Sequence, residues 1–318
     1  MCVKLSHQKF KIDNLNVYKL NYQFILKKYL NTLKTKEFSE DYIVRNRREL
    51  TIFLKYLWSK KVIKLTKVTN EEIFNFINSL EKYSQSTRYN IVSKIRNFFK
   101  FMYDYQYTKM DLSLTIPRMK INHNNKIPHT IWSSEEIHLI LNAVDRTTDI
   151  GKRDYAILTI MSKLGIRFAD IKNLKFENIN WIMNTITFVQ SKTNKLVTLP
   201  LLNDVGLALI DYIKYGRPNV NSKYIFLDEN NQKISNKFRF YYTFQKYLKL
   251  ANIDISNKKC TGAYSLRHSL ATTLLQNRTS LSTISAILGH TDIDNTAIYL
   301  KVDISSLREC CLDLEVDS

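Results

Sequence analysis

A chain of 318 residues with 44% hydrophobic and 24% charged side chains has room for two cores, and nowhere does it carry an apolar run long enough to span a bilayer. Lys and Arg exceed Asp and Glu by 19 charges, which points to a polyanionic partner and away from a membrane-embedded class. Cys2, Cys260, Cys310 and Cys311 show neither disulfide-framework nor zinc-ligand spacing, and "MCVKLSHQKFKID" lacks the apolar core of a secretory signal. A reducing cytoplasmic setting is therefore expected, with no structural zinc.

The first half reads as helices. "NVYKLNYQFILKKYLNTLK" places Leu20, Phe24, Tyr29 and Leu33 near one face, and "DYIVRNRRELTIFLKYLWSK" does the same with Ile43, Leu50, Phe53 and Leu57. "TNEEIFNFINSLEKY" opens with Thr69 as N-cap and Glu72 closing a capping box. "SQSTRYNIVSKIRNFFKFMYDY" carries Ile91, Ile95, Phe98, Phe99 and Met102 at helical spacing, and its aromatics read as core rather than as platforms for bases. Arg96 and Lys100 share one face of this last helix; with Arg88 and Lys94 they are candidate DNA-backbone contacts. "LTIPRMKINHNNKIPHTIW", with Pro117 and Pro128 and no periodicity, reads as a basic tether in which His123 and His129 have no metal-spaced partner. The charge is uneven along the chain. Residues 1–128 hold 25 Lys/Arg against 10 Asp/Glu, whereas residues 129–318 hold 23 against 19. A basic module that grips DNA is thus joined to a nearly neutral one with another task.

The second half restarts at "SSEEIHLILNAV", with Ser133 and Glu136 as a capping box. "KRDYAILTIMSKLG" is a helix stopped by Gly165, and "IRFADIKNL" is a short helix with an arginine at its start. "TITFVQSKTNKLVTLPL" alternates on both sides of a polar turn and predicts a β-hairpin. Helices follow at 203–215, 235–251, 265–276, 281–288 and about 293–300, which makes a mainly helical domain with one small sheet.

Several residues stand out because each opens or tips an element. Arg167 and Arg267 each begin a helix behind a glycine-marked turn, with Ser265 a candidate N-cap of the second. Free N–H groups and the helix dipole favour an anion there, so a cation in a first turn is misplaced unless an anion meets it. Lys192 lies in the turn "SKTNK", His290 follows Gly289 at a helix end, and Tyr299 comes nine residues later. Together they can act on a phosphodiester: two guanidiniums fork onto its non-bridging oxygens, a lysine protonates a leaving oxygen and a histidine donates another bond.

In order and interval these blocks resemble the tyrosine recombinases, the phage integrase and Xer-type family. "LGIRFADIKNL" resembles the family's T-G-L-R-x-x-E-L box and "SKTNKLVTLPL" its G-K-G-x-K hairpin. "YSLRHSLATTLL" resembles H-x-L-R-H-x-F-A-T-x-L-L, and "ISAILGHTDIDNTAIYLKV" the L-G-H-x-x-x-x-T-x-x-Y block. The resemblance implies a mainly α tyrosine recombinase fold. It divides into an extension at 1–16, a four-helix, SAM-like core-binding domain at 17–115, a linker at 116–130 and a catalytic domain with a C-terminal tail at 131–318. It also implies a metal- and ATP-free, site-specific recombinase of double-stranded DNA, acting as a homotetramer for integration, excision or transposition of a mobile element. Tyr299 would form a 3′-phosphotyrosine, Arg167 and Arg267 would stabilise charge on phosphorus oxygens, Lys192 would protonate the 5′ oxygen and His290 would assist. Asp170 would orient the first box, and His268 would be structural.

One departure stands out: Tyr264 occupies the family's usual histidine position. A phenol is a poor base near pH 7, so reduced or partner-dependent activity is expected, with Tyr264 still able to donate a hydrogen bond. A relative that binds DNA sites without cutting is the alternative. A three-carboxylate metal-dependent transposase fits less well, since Asp154 and Asp170 fall on predicted helices. Apolar residues of the tail, from Val302 to Leu314, would dock on a neighbouring protomer or fold back on their own domain.

Overall fold

A computed structural model describes residues 21–62, 64–119, 130–236, 238–256, 258, 261–290, 296, 299 and 300. The chain divides into two compact units, 1–123 and 124–318. The four cysteines, His123, His129, the tail beyond 300 and most of the helix expected at 293–300 lie outside the described residues.

The first unit is built from α1 (Asn21–Thr35), α2 (Glu40–Ser59), α3 (Asn70–Ser79) and α4 (Gln85–Asp104). Serine or threonine side chains open three of these: Ser39 accepts from the Tyr42 N–H, Thr69 forms the capping box with Glu72, and Ser84 accepts from the Thr87 N–H. Such caps satisfy helix-end donors that would otherwise meet only water. Leu50, Phe53, Leu57, Ile73, Phe76, Ile91, Ile95, Phe98, Phe99 and Met102 are buried together, with Phe53 and Phe76 edge to face at 5.0 Å. Phe53, Phe76, Phe98, Phe99 and Phe101 are core, as their spacing predicted, whereas Trp58, Phe74, Tyr103 and Tyr105 are exposed. Phe24 is a correction: it is 53% exposed, while Tyr22, Ile25, Tyr29 and Leu33 carry the buried face of α1. Those four follow the helical repeat more closely than a series through Phe24. The tether expected from 116 is packed at its start. Ile116 is buried in this core, Met119 lies against it, and Arg96 donates to the carbonyls of Ile116 and Pro117.

The second unit contains α5 (Ser134–Asn142), α6 (Asp149–Leu164), α7 (Phe168–Ile171), β1 (Ile179–Asn180), β2 (Thr185–Val189), β3 (Leu196–Pro200), α8 (Asn203–Tyr215), α9 (Phe240–Leu250), α10 (Ser265–Gln276) and α11 (Leu281–Leu288). Ser133 and Glu136 form the expected capping box at α5. α6 is the central rod: every residue from Ala156 to Ser162 is buried, and α5, α7, α8 and α10 pack around it. A helix buried on every side over two turns is an interior helix. The strands form an antiparallel sheet in the order β1-β2-β3, with Ile186 opposite Leu199 and Phe188 opposite Val197 facing the core. The helix expected from 235 begins only at Phe240, because the Phe238 N–H turns back to the Ser235 carbonyl and Arg239 is extended.

Two glycines bring the site's elements close. Gly165 ends α6 with φ +63°, and Gly289 ends α11 with φ +60°, the left-handed region that side chains resist. A Cβ on Gly165 would press on Leu270 and Leu288 at 3.0 and 3.1 Å.

Candidate active site

Ser265 is not the N-cap of α10. The chain enters the helix through a tight turn with Tyr264 at the cap position, and the Ser265 hydroxyl donates to the Gly262 carbonyl and accepts from Trp132 Nε1 at 2.5 Å. Arg267 consequently lies in the first turn with its side chain only 2% exposed. Its Nη1 donates to the Gly165 carbonyl at 2.7 Å and its Nη2 to the Leu288 carbonyl. Both acceptors stand at helix C-termini, those of α6 and α11, where the dipole favours a cation. The charge misplaced on its own helix is thus held by the ends of two others. Nε is buried and meets no partner among the described residues. Burial first, and the charge of Arg167 second, lower the Arg267 pKa to about 10.

Arg167 is the N-cap residue of α7, directly beyond the Gly165 turn, and its Nη1 donates to Gln190 Oε1 at 3.0 Å. Gln190 is a central tie that the sequence pattern did not single out. It is buried at the end of β2, accepts also from the Thr193 hydroxyl at 2.8 Å, and donates through Nε2 to the Leu288 carbonyl at 3.1 Å. Gly289 makes room for it: a Cβ there would overlap the Gln190 amide, with Cδ and Oε1 at 2.6 Å. Nothing in the sequence signals this tie, because Gln190 meets Leu288 across 98 residues.

The hairpin turn is anchored on both flanks. Asp170 Oδ1 accepts from the Ser191 N–H at 2.7 Å and from its hydroxyl at 2.6 Å, and Lys195 Nζ donates to the His290 carbonyl at 3.0 Å. Lys192 is exposed between these anchors. Asp170 thus holds the turn, in keeping with an orienting part. Asp154, the other carboxylate considered, is buried between Arg153 and the Tyr247 hydroxyl and braces the core.

His290 is half-buried, with Nδ1 2.7 Å from the Thr296 hydroxyl. Burial, then the charges of Arg267, Arg167 and Lys192, hold its pKa down to about 4. Tyr299 is 1% exposed, packed on Ala271, Leu275, Ile284 and Leu288, and its hydroxyl lies 2.9 Å from His268 Nδ1. Burial, with Tyr264 adding to it, raises the phenol pKa, while Arg267 and Arg167 pull it back. Tyr264 is 45% exposed and sets its ring edge-on to His268, with centroids 4.9 Å apart. The structure therefore brings Arg167, Arg267, His290, Tyr299 and Tyr264 together, with Lys192 at the rim.

The four basic candidates are on α4, in the first unit. Lys94 Nζ sits 4.3 Å from the Tyr42 ring centroid, and Lys100 pairs with Asp104 at 3.0 Å and Asp111 at 3.2 Å. Arg96 is committed to the backbone at 116–117, and Arg88 is half-buried with Nε unpartnered among the described residues.

Among the described residues no carboxylate lies within ion-pair distance of Arg167 or Arg267. Two neighbouring guanidiniums with no ion-paired carboxylate among the described residues, two imidazoles and a buried phenol are groups that can hold a phosphoryl anion beside a hydroxyl. Residues 132–305 match the profile of the Phage integrase family, and residues 26–106 that of the Phage integrase N-terminal SAM-like domain. The chain belongs to the phage integrase family, the tyrosine recombinases. It is 30% identical over 292 residues to the tyrosine recombinase XerD of Staphylococcus epidermidis, covering 90% of this chain and 96% of that protein. Two integrase/recombinase-type proteins of Sinorhizobium fredii are 29% and 28% identical, over 72% and 86% of this chain. The chain spans only 54% and 66% of their lengths. The fold is that of the XerH site-specific recombinase crystallised on its palindromic difH substrate after cleavage, with a TM-score of 0.70 at 21% identity over 89% of this chain and 82% of that one.

Proposed function

We propose that this protein is a site-specific recombinase that cuts and rejoins double-stranded DNA through a 3′-phosphotyrosine on Tyr299, without metal or ATP. The observation that carries the reading is the pair Arg167 and Arg267, close enough for Arg167 to act on the charge of Arg267 and, among the described residues, with no carboxylate ion-paired to either, beside the buried Tyr299 hydroxyl; Asp170 acts on Arg267 only through space. A bound phosphodiester supplies the missing anion. The guanidiniums hold its non-bridging oxygens as charge grows on them, and removing one such donor typically costs about 2.7–4 kcal/mol of transition-state stabilisation. Tyr299 Oη forms the bond to phosphorus, the bond to the 5′ oxygen breaks, and Lys192 delivers the proton that oxygen needs. His290, held neutral, donates a further hydrogen bond, and Tyr264 borders the phosphate. A phenolate leaves far more readily than a sugar alkoxide, because a phenol has a pKa of about 10. The 5′-hydroxyl of another strand can therefore reverse the step without added energy.

The first unit supplies non-specific grip through its excess charge, with Arg88, Lys94, Arg96 and Lys100 as candidate phosphate contacts. The exposed ion pair of Lys100 with Asp104 is weak enough to yield to a phosphate. XerH is a relative in fold crystallised on its recombination substrate, and the same kind of partner, bound by a tetramer, is proposed here in the service of a mobile element. Incubation in EDTA of labelled duplexes carrying the ends of the element that holds the gene tests this. Recombinant strands from the wild type, absent with Arg167→Ala, are expected. Specific binding with no exchange would return the protein to the binding-only class.

A further inference from the structure

His268 was expected to be structural, yet among the described residues its Nδ1 is the one imidazole nitrogen with a hydrogen bond to the Tyr299 hydroxyl, at 2.9 Å. The other imidazole nearby is engaged elsewhere, with His290 Nδ1 on the Thr296 hydroxyl at 2.7 Å. Burial and three cations also leave His290 a feeble base. Tyr264, where the family resemblance predicts a histidine, offers a phenol in place of an imidazole lone pair. The nucleophile itself is buried and its ionisation disfavoured, so something must take its proton as it attacks.

We propose that His268 is the general base of this active site, taking the Tyr299 proton on Nδ1 and so filling the place left by Tyr264. The role rests on the phosphotyrosine reading above. In the accepting tautomer the ring proton is on Nε2 and the Nδ1 lone pair faces Tyr299 Oη. The Oη–H bond breaks and its proton passes to Nδ1. The oxygen's electron pair forms the bond to phosphorus while the bond to O5′ breaks, and that oxygen takes a proton from Lys192. In rejoining, the attacking 5′-hydroxyl gives its proton to Lys192 as its oxygen bonds to phosphorus, the bond from phosphorus to Tyr299 Oη breaks, and that oxygen recovers its proton from Nδ1. Position and orientation both favour this transfer. His268 is one residue beyond Arg267 on α10, so the base and the phosphate-holding arginine move as one body. The Tyr264 ring stands at 86° to the imidazole and the Tyr299 ring lies on its other contact, at a centroid distance of 5.7 Å. The titratable groups with a printed relation to the imidazole are Tyr264 at the α10 cap, Tyr299, and His290 beyond α11, with Arg267 next to it in the helix.

The test measures covalent protein–DNA adduct formation from pH 5.5 to 9, with full-length protein and nicked duplexes spanning the ends of the element that carries the gene. Wild type and Tyr299→Phe show first that an adduct forms and needs Tyr299; no wild-type adduct would contradict the proposed function and this role with it. His268→Asn keeps a hydrogen-bond acceptor near the Nδ1 position but accepts no proton. It should bind DNA normally and form adduct about 10²–10⁴-fold more slowly, the usual worth of general acid–base catalysis. Its rate should climb with pH across the range as hydroxide replaces the imidazole. A substrate with sulfur in place of the scissile 5′ oxygen, whose thiolate leaves without a proton, should restore Lys192→Ala but not His268→Asn. Free imidazole should partly restore His268→Ala. If His268→Asn does not fold, as judged by circular dichroism, His268→Gln takes its place with the same expected loss. A folded variant with near-wild-type rate and profile, or one rescued by the sulfur substrate, would overturn the role while leaving the phosphotyrosine reading intact.

Discussion

Gly289→Ala probes the joint between the end of α11 and the hairpin, where Gln190 links Arg167 to the Leu288 carbonyl. Two separate penalties meet at this position. The residue sits at φ +60°, which costs an L side chain about 1–2 kcal/mol. The new methyl group would also overlap the buried Gln190 amide, and overpacking of that kind costs about 1–3 kcal/mol. The single variant should therefore lose about 2–5 kcal/mol. In a Gln190→Ala background the overlap is gone, and the same substitution should cost only the backbone share, about 1–2 kcal/mol. The difference between the two, about 1–3 kcal/mol, is the coupling of the residues. Urea unfolding followed by tryptophan fluorescence reads it, because Trp132, in the second unit, is 1% exposed, whereas Trp58 and Trp181 are 41% and 43% exposed and change less. Equal costs in both backgrounds, within about 0.5 kcal/mol, would refute the packing argument and with it the view that Gly289 exists to seat Gln190.

Arg267→Lys should lower the rate of strand cleavage about 10²–10³-fold with little change in DNA affinity, because one ammonium cannot span the Gly165 and Leu288 carbonyls and still present a fork; single-turnover cleavage beside a gel-shift titration checks it. His290 has a folded pKa of about 4 against an ordinary 6.5, so between those values the unfolded chain binds a proton that the folded one refuses. Its contribution to stability is complete above about pH 6.5 and is lost as pH falls towards 4. The stability gap between wild type and His290→Asn should accordingly narrow from pH 7.5 to pH 4.5 in urea melts, and an unchanged gap would contradict the assignment. Replacing Lys94 and Lys100 together by alanine should weaken binding to all duplexes alike and flatten the plot of log affinity against log salt by about one unit for each phosphate left without its cation; an unaltered slope would remove α4 from the interface.

Much of this arrangement was legible from local rules. The capping boxes at Thr69 and Ser133, the glycine stops at 165 and 289 and the hairpin are all set by residues near one another in sequence. The misreadings have tertiary causes. Phe24 satisfies a helical spacing but faces outward, because the packing of α1 on α2 selects the stripe through Tyr22 and Tyr29. Ser265 has the composition of an N-cap, yet its hydroxyl is taken by the Gly262 carbonyl and by Trp132, the latter 133 residues away in sequence. Gln190 and His268 act through partners 98 and 31 residues distant, and no periodicity or capping rule reports on such pairs. The candidate site residues were found by motif, but the geometry that ties them together was visible only in the folded chain.

The most direct test is to trap the protein on a nicked duplex carrying the ends of the proposed mobile element in EDTA, digest the adduct and locate the nucleotide-bearing peptide by mass spectrometry. A phosphotyrosine linkage at Tyr299 to a DNA 3′ end, absent from Tyr299→Phe, is the predicted result. A linkage at another residue, or cleavage that leaves no covalent adduct and stops when metal is withheld, would contradict it.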